Sequence, residues 1–358
     1  MSHDPGEWTS EQSGTVTAAI VCYDSDSEEL RLAIDSLRSQ SRPPRQILLL
    51  DNGPGAERAA ELDGYAPTLR TIDCGSNLGY GGAINLAARE SDSDYLLCMN
   101  PDAHAHEDCV EQLLRVADAD RQVALVGAQI LLADGSCNAG DNPLHPTGIS
   151  TSGHYGEPRE QAPPREVAVV SGACCLIRRA SLLSLGGFFE RLFLYYEDVD
   201  ISWRARIAGM RVVYCPAASV SHGYEFGRRE RKWFLLERNR LLCLLSNYEA
   251  KTLMLLAPLL ALTELGLLAV AARGGWLRQK LAGYRSLLAM AATLPARRCA
   301  VAATRRHSDA QLLGLFDDRL DSALLPGAGS ALANAVCVPY LRFVRSLLRA
   351  PAAARESG

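Results

Sequence analysis

The sequence predicts an α/β protein, a mostly parallel, doubly wound sheet followed by a helical extension. Short apolar runs alternate with amphipathic stretches over the first half of the chain, the rhythm of βαβ units. Polar residues and turn signals follow the apolar runs. After His222 the chain changes to long helical stretches that are apolar and basic. These three observations also predict a sheet domain over residues 15–225 and a helical extension over 226–358.

The apolar runs predict the strands and the amphipathic stretches predict the helices. Residues 1–14 are polar, and we expect them to be disordered. The predicted strands are 16–22, 46–50, 68–73, 95–99, 167–170, 173–177 and 211–215. The predicted helices are 26–40, 79–89 and 197–209. Residues 133–164, rich in Gly, Pro, His and Ser, predict a long surface loop.

Composition narrows the class of protein. The chain has 358 residues, of which 48% are hydrophobic and 22% charged, as expected for a large globular domain with an appendage. Its 11 cysteines are an odd number without the spacing of a disulfide framework, which predicts a reducing compartment, and none of them is in a CxxC pair. We expect no signal peptide. Basic and acidic residues number 17 and 31 up to His222 and 20 and 10 beyond it, which predicts an acidic domain tethered to an anionic surface.

Polar residues collect where the predicted strands end. Tyr23 and Asp24 follow the first strand, Asp51 follows the second, and Asn77 precedes the helix after the third. Ligands of doubly wound sheets bind beyond the carboxyl ends of the strands. These positions are therefore the predicted ligand site.

A glycine-rich segment begins the helix at residue 79. Gly79, Gly81 and Gly82 would let a backbone approach closely, and the amino end of a helix favours a phosphate. A tight loop that needs glycine for packing explains the same pattern. The spacing differs from that of the dinucleotide fingerprint.

Two further segments carry carboxylates. Asn100 and Asp102 follow an apolar strand, where Asp102 could hold a divalent cation or Asn-Pro-Asp could be a simple turn. Glu197, Asp198 and Asp200 open a helix. They would either favour the helix dipole, with Asp200 pairing Arg204, or supply a general base from a partly buried site.

His222 ends a short strand, and a lone histidine is more often a satisfied polar residue than a ligand. Taken in order from about residue 15 to 224, these segments resemble glycosyltransferase family 2, which has the GT-A fold. The similarity is greatest to bacterial rhamnosyltransferase-like and galactofuranosyltransferase-like members. In that family the metal motif is often Asp-x-Asp, and Asn100 replaces the first Asp here.

The resemblance implies a role for each position. Asp198 is implied as general base, and Asp102 and His222 as ligands of Mg²⁺ or Mn²⁺. Supporting or acceptor-side residues would be Glu197 and Asp200, with Trp203, Arg204 and Gly172. The implied donor-binding residues are Tyr23, Asp24, Asp51, Asn77, Gly79, Gly81, Gly82 and Asn100.

The implied reaction is inverting transfer of a sugar from a nucleoside diphosphate, first of all dTDP-rhamnose, to a lipid-linked or polysaccharide hydroxyl. UDP-galactofuranose or another UDP- or GDP-sugar stays an alternative. The expected location is the cytoplasmic face of the plasma membrane, and nucleic acid is not an expected partner. Residues 252–272 are long enough to span a bilayer, but Pro258 and Glu264 interrupt them. We expect an interfacial or re-entrant helix, with a single span or a buried core helix as alternatives.

Two other functions are weighed against this one. A nucleotidyltransferase would need a basic glycine-rich loop after the first strand, where Tyr23 and Asp24 stand. A non-catalytic nucleotide-sugar-binding scaffold would not need Asp102, Asp198 and His222 together.

Overall fold

The computed structural model describes residues 14–53, 63–222, 231–320 and 328–349. They form two compact units. The first contains the sheet, and the second contains Pro143–Thr151, Arg206–Gly209 and the described residues from Arg231 onward. The predicted disordered segment, apart from Gly14, and the predicted boundary at residue 225 lie outside the described residues.

Twelve strands are present in the described part of the chain. They are β1 (Val16–Cys22), β2 (Gln46–Asp51), β3 (Leu69–Asp73), β4 (Tyr95–Met99), β5 (Ala103–Ala105), β6 (Val123–Leu131), β7 (Cys137–Ala139), β8 (Asp141–Asn142), β9 (Arg165–Glu166), β10 (Val169–Val170), β11 (Cys174–Arg178) and β12 (Arg211–His222). The main sheet has the order β3-β2-β1-β4-β11-β6-β12-β5. β8 and β10 form a separate two-stranded sheet.

One half of the main sheet is parallel, as predicted. β1 pairs with β2 and β4, and β2 with β3, all in parallel. Every residue of β1, β4 and β6 is buried, as expected for strands that are covered on both faces. Cys22 lies opposite Asp51, so the carboxyl ends of β1 and β2 meet at one edge.

The other half of the sheet is mixed. β11 runs antiparallel to both β4 and β6, whereas β12 runs parallel to β6 and antiparallel to β5. A continuous apolar run carries no information about strand direction, so the sequence predicted β11 but not its orientation. The insertion of β11 beside β4 brings the residues before Cys174 to the carboxyl end of β4.

Helices cover the sheet in the first unit. They are α1 (Ser27–Arg38), α2 (Gly79–Glu90), α3 (Cys109–Ala119), α4 (Arg179–Ser184) and α5 (Glu197–Ile207), the last of which ends in the second unit. Asp26 begins α1 because its carboxylate accepts hydrogen bonds from the backbone N–H groups of Glu28 and Glu29, at 2.9 and 3.0 Å.

The segment 133–164 is not the surface loop that the sequence predicted. Cys137–Ala139 forms β7 against β6, and most residues from 137 to 148 are buried. Backbone carbonyls of the buried part are satisfied by the helical unit: Arg240 Nη1 donates to Thr147 O at 3.1 Å and Tyr248 OH to Pro146 O at 3.0 Å. A polar composition therefore hid a buried segment whose hydrogen bonds come from distant residues.

The second unit is helical. It contains α6 (Lys232–Asn247), α7 (Ala250–Arg273), α8 (Leu277–Ala289), α9 (Leu294–Thr304), α10 (Asp309–Leu312) and α11 (Ala328–Arg349). α7 and residues 330–349 of α11 are long and apolar enough to cross a membrane. Pro258 lies inside α7.

Candidate active site

The ends of β1 and β2 form one side of the predicted site. Tyr23 is 48% exposed, and Asp24 has a left-handed backbone with φ of 51°. Asp51 is buried, and its Oδ1 accepts a hydrogen bond from the backbone N–H of Gly53 at 2.9 Å. Tyr23 and Asp24 are accessible to a ligand, whereas the buried Asp51 side chain stabilises the turn at Gly53.

Asn52 joins this edge to the glycine-rich segment, a contribution that the sequence analysis missed. Its Nδ2 donates to Gly79 O at 3.1 Å, and its Oδ1 accepts from the backbone N–H of Leu78 at 3.3 Å. The amide is buried, so both bonds are shielded from water. In the sequence, Asp51-Asn52-Gly53 is a turn signal, which indicates the position of Asn52 but not its hydrogen-bond partners.

Packing requires two of the three predicted glycines. Gly79 has φ of +72°, and a Cβ there would lie 2.3 Å from Phe193 O. A Cβ on Gly81 would lie 2.9 Å from Phe188 Cβ, and one on Gly82 would lie 3.0 Å from Leu78 Cβ. Both Gly79 and Gly81 thus let α2 approach the segment before α5, which is the packing alternative; the donor-binding role stays a prediction.

Asn77 fixes the start of the same helix. Its Oδ1 accepts from the backbone N–H of Gly79 at 2.9 Å. The next N–H, of Tyr80, donates to Phe193 O at 2.8 Å. These bonds set the path of the segment that the sequence assigns to the diphosphate.

The ladder between β5 and β12 brings His222 to the Asn-Pro-Asp segment. His222 lies opposite Ala103, the residue after Asp102. Its Nε2 is 3.0 Å from Asp102 Oδ1 and 3.2 Å from Asn100 Nδ2. The imidazole is buried, and the Asp102 side chain is 36% exposed. A buried nitrogen and an accessible carboxylate thus face each other, 120 residues apart in the chain.

This pair fits a divalent cation that shares its shell with substrate. Among the residues that the structure describes, no three His, Cys, Asp or Glu side chains are grouped closely enough to hold a metal ion. Asp102 and His222 offer an oxygen and a nitrogen, which Mn²⁺ accepts and Mg²⁺ accepts less readily. The remaining ligands would have to be phosphate oxygens and water.

Asp198 lies at the start of α5 and is held by backbone donors. Its Oδ2 accepts from the N–H of Gly172 at 3.1 Å, and its Oδ1 from its neighbour Val199 at 2.8 Å. A Cβ on Gly172 would lie 3.3 Å from Asp198 Cβ, so a side chain would crowd the carboxylate. Tyr80 OH donates to Gly172 O at 2.8 Å, and this bond holds in place the peptide whose N–H reaches Asp198.

A short backbone path joins the two acidic groups. The N–H of Asn100 donates to Ala173 O at 2.9 Å, and Ala173 follows the Gly172 that holds Asp198. Asn100 also contacts His222, which contacts Asp102. The structure therefore brings these predicted residues together at the carboxyl end of β4.

Burial changes the titration of the carboxyls at the start of α5. It raises the pKa of Glu197 to about 8, with the charge of Asp198 adding to the effect. Burial also raises the pKa of Asp198, and hydrogen bonds from Gly172 and Val199 oppose that rise. Backbone hydrogen bonds favour the ionised form of Asp198, whereas burial and the neighbouring charge favour the protonated form of Glu197.

Asp200, Arg204 and Trp203 lie inside the protein behind the start of α5. Arg204 Nε donates to Asp200 Oδ2 at 2.7 Å, and both side chains are almost fully buried, as is Trp203. The guanidinium also donates to Leu185 O at 2.9 Å and Gly187 O at 2.7 Å. Their burial favours the supporting alternative over the acceptor-side one, and their role stays a prediction.

The turn before α5 is strained, which the sequence analysis did not predict. Phe193, Tyr195 and Tyr196 have φ of 67°, 66° and 68°, in a region that bulky residues rarely adopt. Such strain clusters at functional sites and needs surrounding contacts to hold it. Phe193 O, bonded to Tyr80, is one such contact. In the sequence, the closely spaced aromatic residues Phe193, Tyr195 and Tyr196 are the signal that could have marked this turn.

Comparison with known proteins places this geometry in a family. Residues 17–186 match the family described as Glycosyl transferase family 2. The chain is similar to the N-acetylglucosaminyl-diphospho-decaprenol L-rhamnosyltransferase of Mycobacterium tuberculosis, with 32% identity in an alignment of 226 residues. The alignment covers 55% of this chain and 73% of that protein.

Two solved structures share the fold. GalNAc-T7 with UDP, GalNAc and Mn²⁺ matches with a TM-score of 0.56 and 15% identity, over 65% of this chain and 48% of that one. The mannosyltransferase PcManGT from Pyrobaculum calidifontis, in complex with GDP-Man and Mn²⁺, matches with a TM-score of 0.50 and 17% identity, over 81% and 86%. These structural similarities confirm the GT-A fold. The sequence matches show that the chain belongs to glycosyltransferase family 2 and is a glycosyltransferase.

Proposed function

We propose that this glycosyltransferase transfers rhamnose from dTDP-rhamnose, with inversion and with a divalent cation, to a lipid-linked acceptor in cell-envelope glycan synthesis. The observation that carries the proposal is the joining of Asp198 to the Asp102–His222 pair through Gly172, Ala173 and Asn100. The donor sugar and the lipid-linked acceptor are supported by the name of the mycobacterial relative.

Asp198 takes the proton of the acceptor hydroxyl. Two backbone N–H groups fix the carboxylate, and burial raises its pKa toward the range in which a general base works best. Glu197 beside it keeps its own proton and so adds no second charge. With one base and a direct attack opposite the leaving group, the anomeric centre inverts.

Asp102 and His222 would hold the cation together with the donor diphosphate. A cation held there would supply positive charge to offset the negative charge that develops on the leaving nucleoside diphosphate. Tyr23, Asp24 and Asp51 are proposed to contact base and ribose, and Asn77 with Gly79, Gly81, Gly82 and Asn100 the diphosphate side. With a lipid-linked acceptor, the proposed place of action is the cytoplasmic face of the plasma membrane.

A donor panel tests this function. The chain is incubated with Mn²⁺, a lipid-linked GlcNAc diphosphate, and dTDP-rhamnose, UDP-galactofuranose, UDP-glucose or GDP-mannose, and the products are measured by mass. We expect transfer from dTDP-rhamnose and its loss on chelation. Transfer from another donor alone would replace the sugar, and no metal-dependent transfer or nucleoside diphosphate release with any donor would overturn the proposal.

A further inference from the structure

One side of α7 exposes apolar residues without interruption. Between Lys251 and Arg273, every exposed residue of this helix is apolar: Met254, Ala257, Pro258, Ala261, Leu262, Leu265, Gly266, Ala269 and Ala272. Met254 is 71% and Leu265 65% exposed. A helix at a water-facing surface carries charged and polar residues on that side. An apolar helix face of this kind is typical of a surface that contacts a membrane or another protein.

The one acidic residue of α7, Glu264, is partly buried and belongs to a network of ion pairs. Glu264 accepts hydrogen bonds from Arg240, from Lys280 Nζ at 2.9 Å and from Tyr284 OH at 2.5 Å. Glu237 completes the network, with Oε2 3.0 Å from Arg240 Nη2 and 2.5 Å from Lys280 Nζ. Two cations thus balance two carboxylates, and Glu264 adds no charge to the exposed side.

α11 extends the apolar surface. Tyr340 OH donates to Leu255 O at 2.7 Å, and Lys251 Nζ donates to Leu347 O at 3.2 Å, so α11 lies antiparallel along α7. Its exposed apolar residues are Ala331, Leu332, Ala335, Val336, Pro339, Phe343 and Leu347.

Basic side chains border this surface. Lys251 and Arg273 are exposed at the two ends of α7, and Arg342 and Arg349 are exposed near the end of α11. The exposed residues of the two helices include no acidic side chain. An apolar face with a cationic border complements a membrane with anionic headgroups, which attract Lys and Arg close to the surface.

We propose that the exposed faces of α7 and α11 lie in the plane of an anionic bilayer, with their apolar side chains among the upper acyl chains. The purpose of this docking, access to a lipid-linked acceptor, rests on the proposed function. The ion network argues against a single crossing by α7. Glu264 sits past the middle of a helix of 24 residues, so a crossing would carry Arg240, Lys280 and Glu237 into the hydrocarbon.

Vesicle binding by the 358-residue chain tests the surface. The variant Leu262→Glu with Leu265→Glu adds two charges to the exposed face of α7. The control, Leu32→Glu with Leu183→Glu, adds the same charge at similarly exposed leucines of α1 and α4. Binding is measured by co-sedimentation with phosphatidylglycerol/phosphatidylcholine vesicles. We expect the α7 variant to bind about a hundredfold more weakly and the control within about threefold of wild type.

Further readouts separate the alternative occupants and the fold. Equal binding by wild type and the α7 variant, with both eluting as folded protein, would overturn the proposal. So would an oligomer in lipid-free buffer that the α7 variant dissociates, which would assign the face to a second copy. Retention on vesicles after alkaline carbonate extraction would contradict the in-plane arrangement. Because sugar transfer to a detergent-solubilised acceptor needs no bilayer, its persistence in the α7 variant distinguishes failed docking from failed catalysis.

Discussion

At the residue scale, the site depends on a few side chains whose partners are distant in sequence. Asp102 and His222 are 120 residues apart and meet only because β5 pairs with the end of β12. Asp198 is oriented by Gly172, which precedes β11. The chemistry of each group was readable from its residue type. Only the family resemblance joined Asp102 to His222, because strand pairing is a non-local property that local sequence does not show.

The metal assignment predicts a donor affinity that depends on cation concentration. Asp102→Ala removes the accessible carboxylate of the pair, so we expect donor binding to weaken about tenfold or more at low Mn²⁺ and to recover partly at high Mn²⁺. Titration calorimetry with the nucleoside diphosphate at several Mn²⁺ concentrations measures this. The control Glu107→Ala removes an exposed carboxylate nearby. Equal metal dependence in both variants would contradict the assignment.

The buried carboxyl of Glu197 predicts a pH-dependent stability difference. Its folded-state pKa of about 8 lies above the ordinary 4.5, so its ionisation opposes folding increasingly as pH rises between these values. Glu197→Gln removes this effect. We expect the variant to gain about 1–4 kcal/mol relative to wild type between pH 5 and pH 8. Urea unfolding at both pH values measures the difference, and a difference that does not grow with pH would refute the raised pKa.

At the element scale, α2 packs closely against the segment before α5, and this contact supports Gly172, which holds the proposed base Asp198. Gly79 and Gly81 permit this approach, and Tyr80 crosses it to bond Gly172. The sequence predicted the helix within one residue of its observed start and end, and offered packing as one reason for the glycines. It could not predict the left-handed backbone at Phe193, Tyr195 and Tyr196, because local propensity disfavours that conformation and tertiary contacts impose it.

Alanine substitutions at two glycines compare the cost of backbone strain alone with the cost of strain plus the close contact between Gly79 and Phe193. Gly75 and Gly79 both have positive φ, but a Cβ on Gly75 meets nothing within 4 Å. We expect Gly75→Ala to cost about 1 kcal/mol of unfolding free energy and Gly79→Ala about 3 kcal/mol or more, because the latter also displaces Phe193 O. Chemical denaturation of both variants checks this, and equal costs would argue that backbone strain alone requires Gly79.

At the scale of the whole molecule, most of the predicted fold came from the periodicity of apolar residues, and the predicted site came from the polar residues at the strand ends. Strands β1 and β4 lie on the residues that the apolar runs marked, and the predicted ligand positions follow strands as expected for this class. The sequence could not show that β11 runs antiparallel to β4 or that Pro143–Thr151 joins the helical unit. The direction of β11 and the place of Pro143–Thr151 both depend on tertiary packing, which local sequence does not show. In Pro143–Thr151 the loop-like composition also concealed the burial of the segment.

The most direct test of the central claim is the rate of sugar transfer by Asp198→Asn, with donor affinity measured on the same preparation. Asparagine has nearly the same size and keeps one of the two oxygens that accept from Gly172 and Val199, but it cannot take a proton. We predict a fall of about 10²–10⁴-fold in kcat with donor affinity within about threefold of wild type. Transfer at the wild-type rate, or an equal loss of donor binding, would contradict a role for Asp198 as the general base.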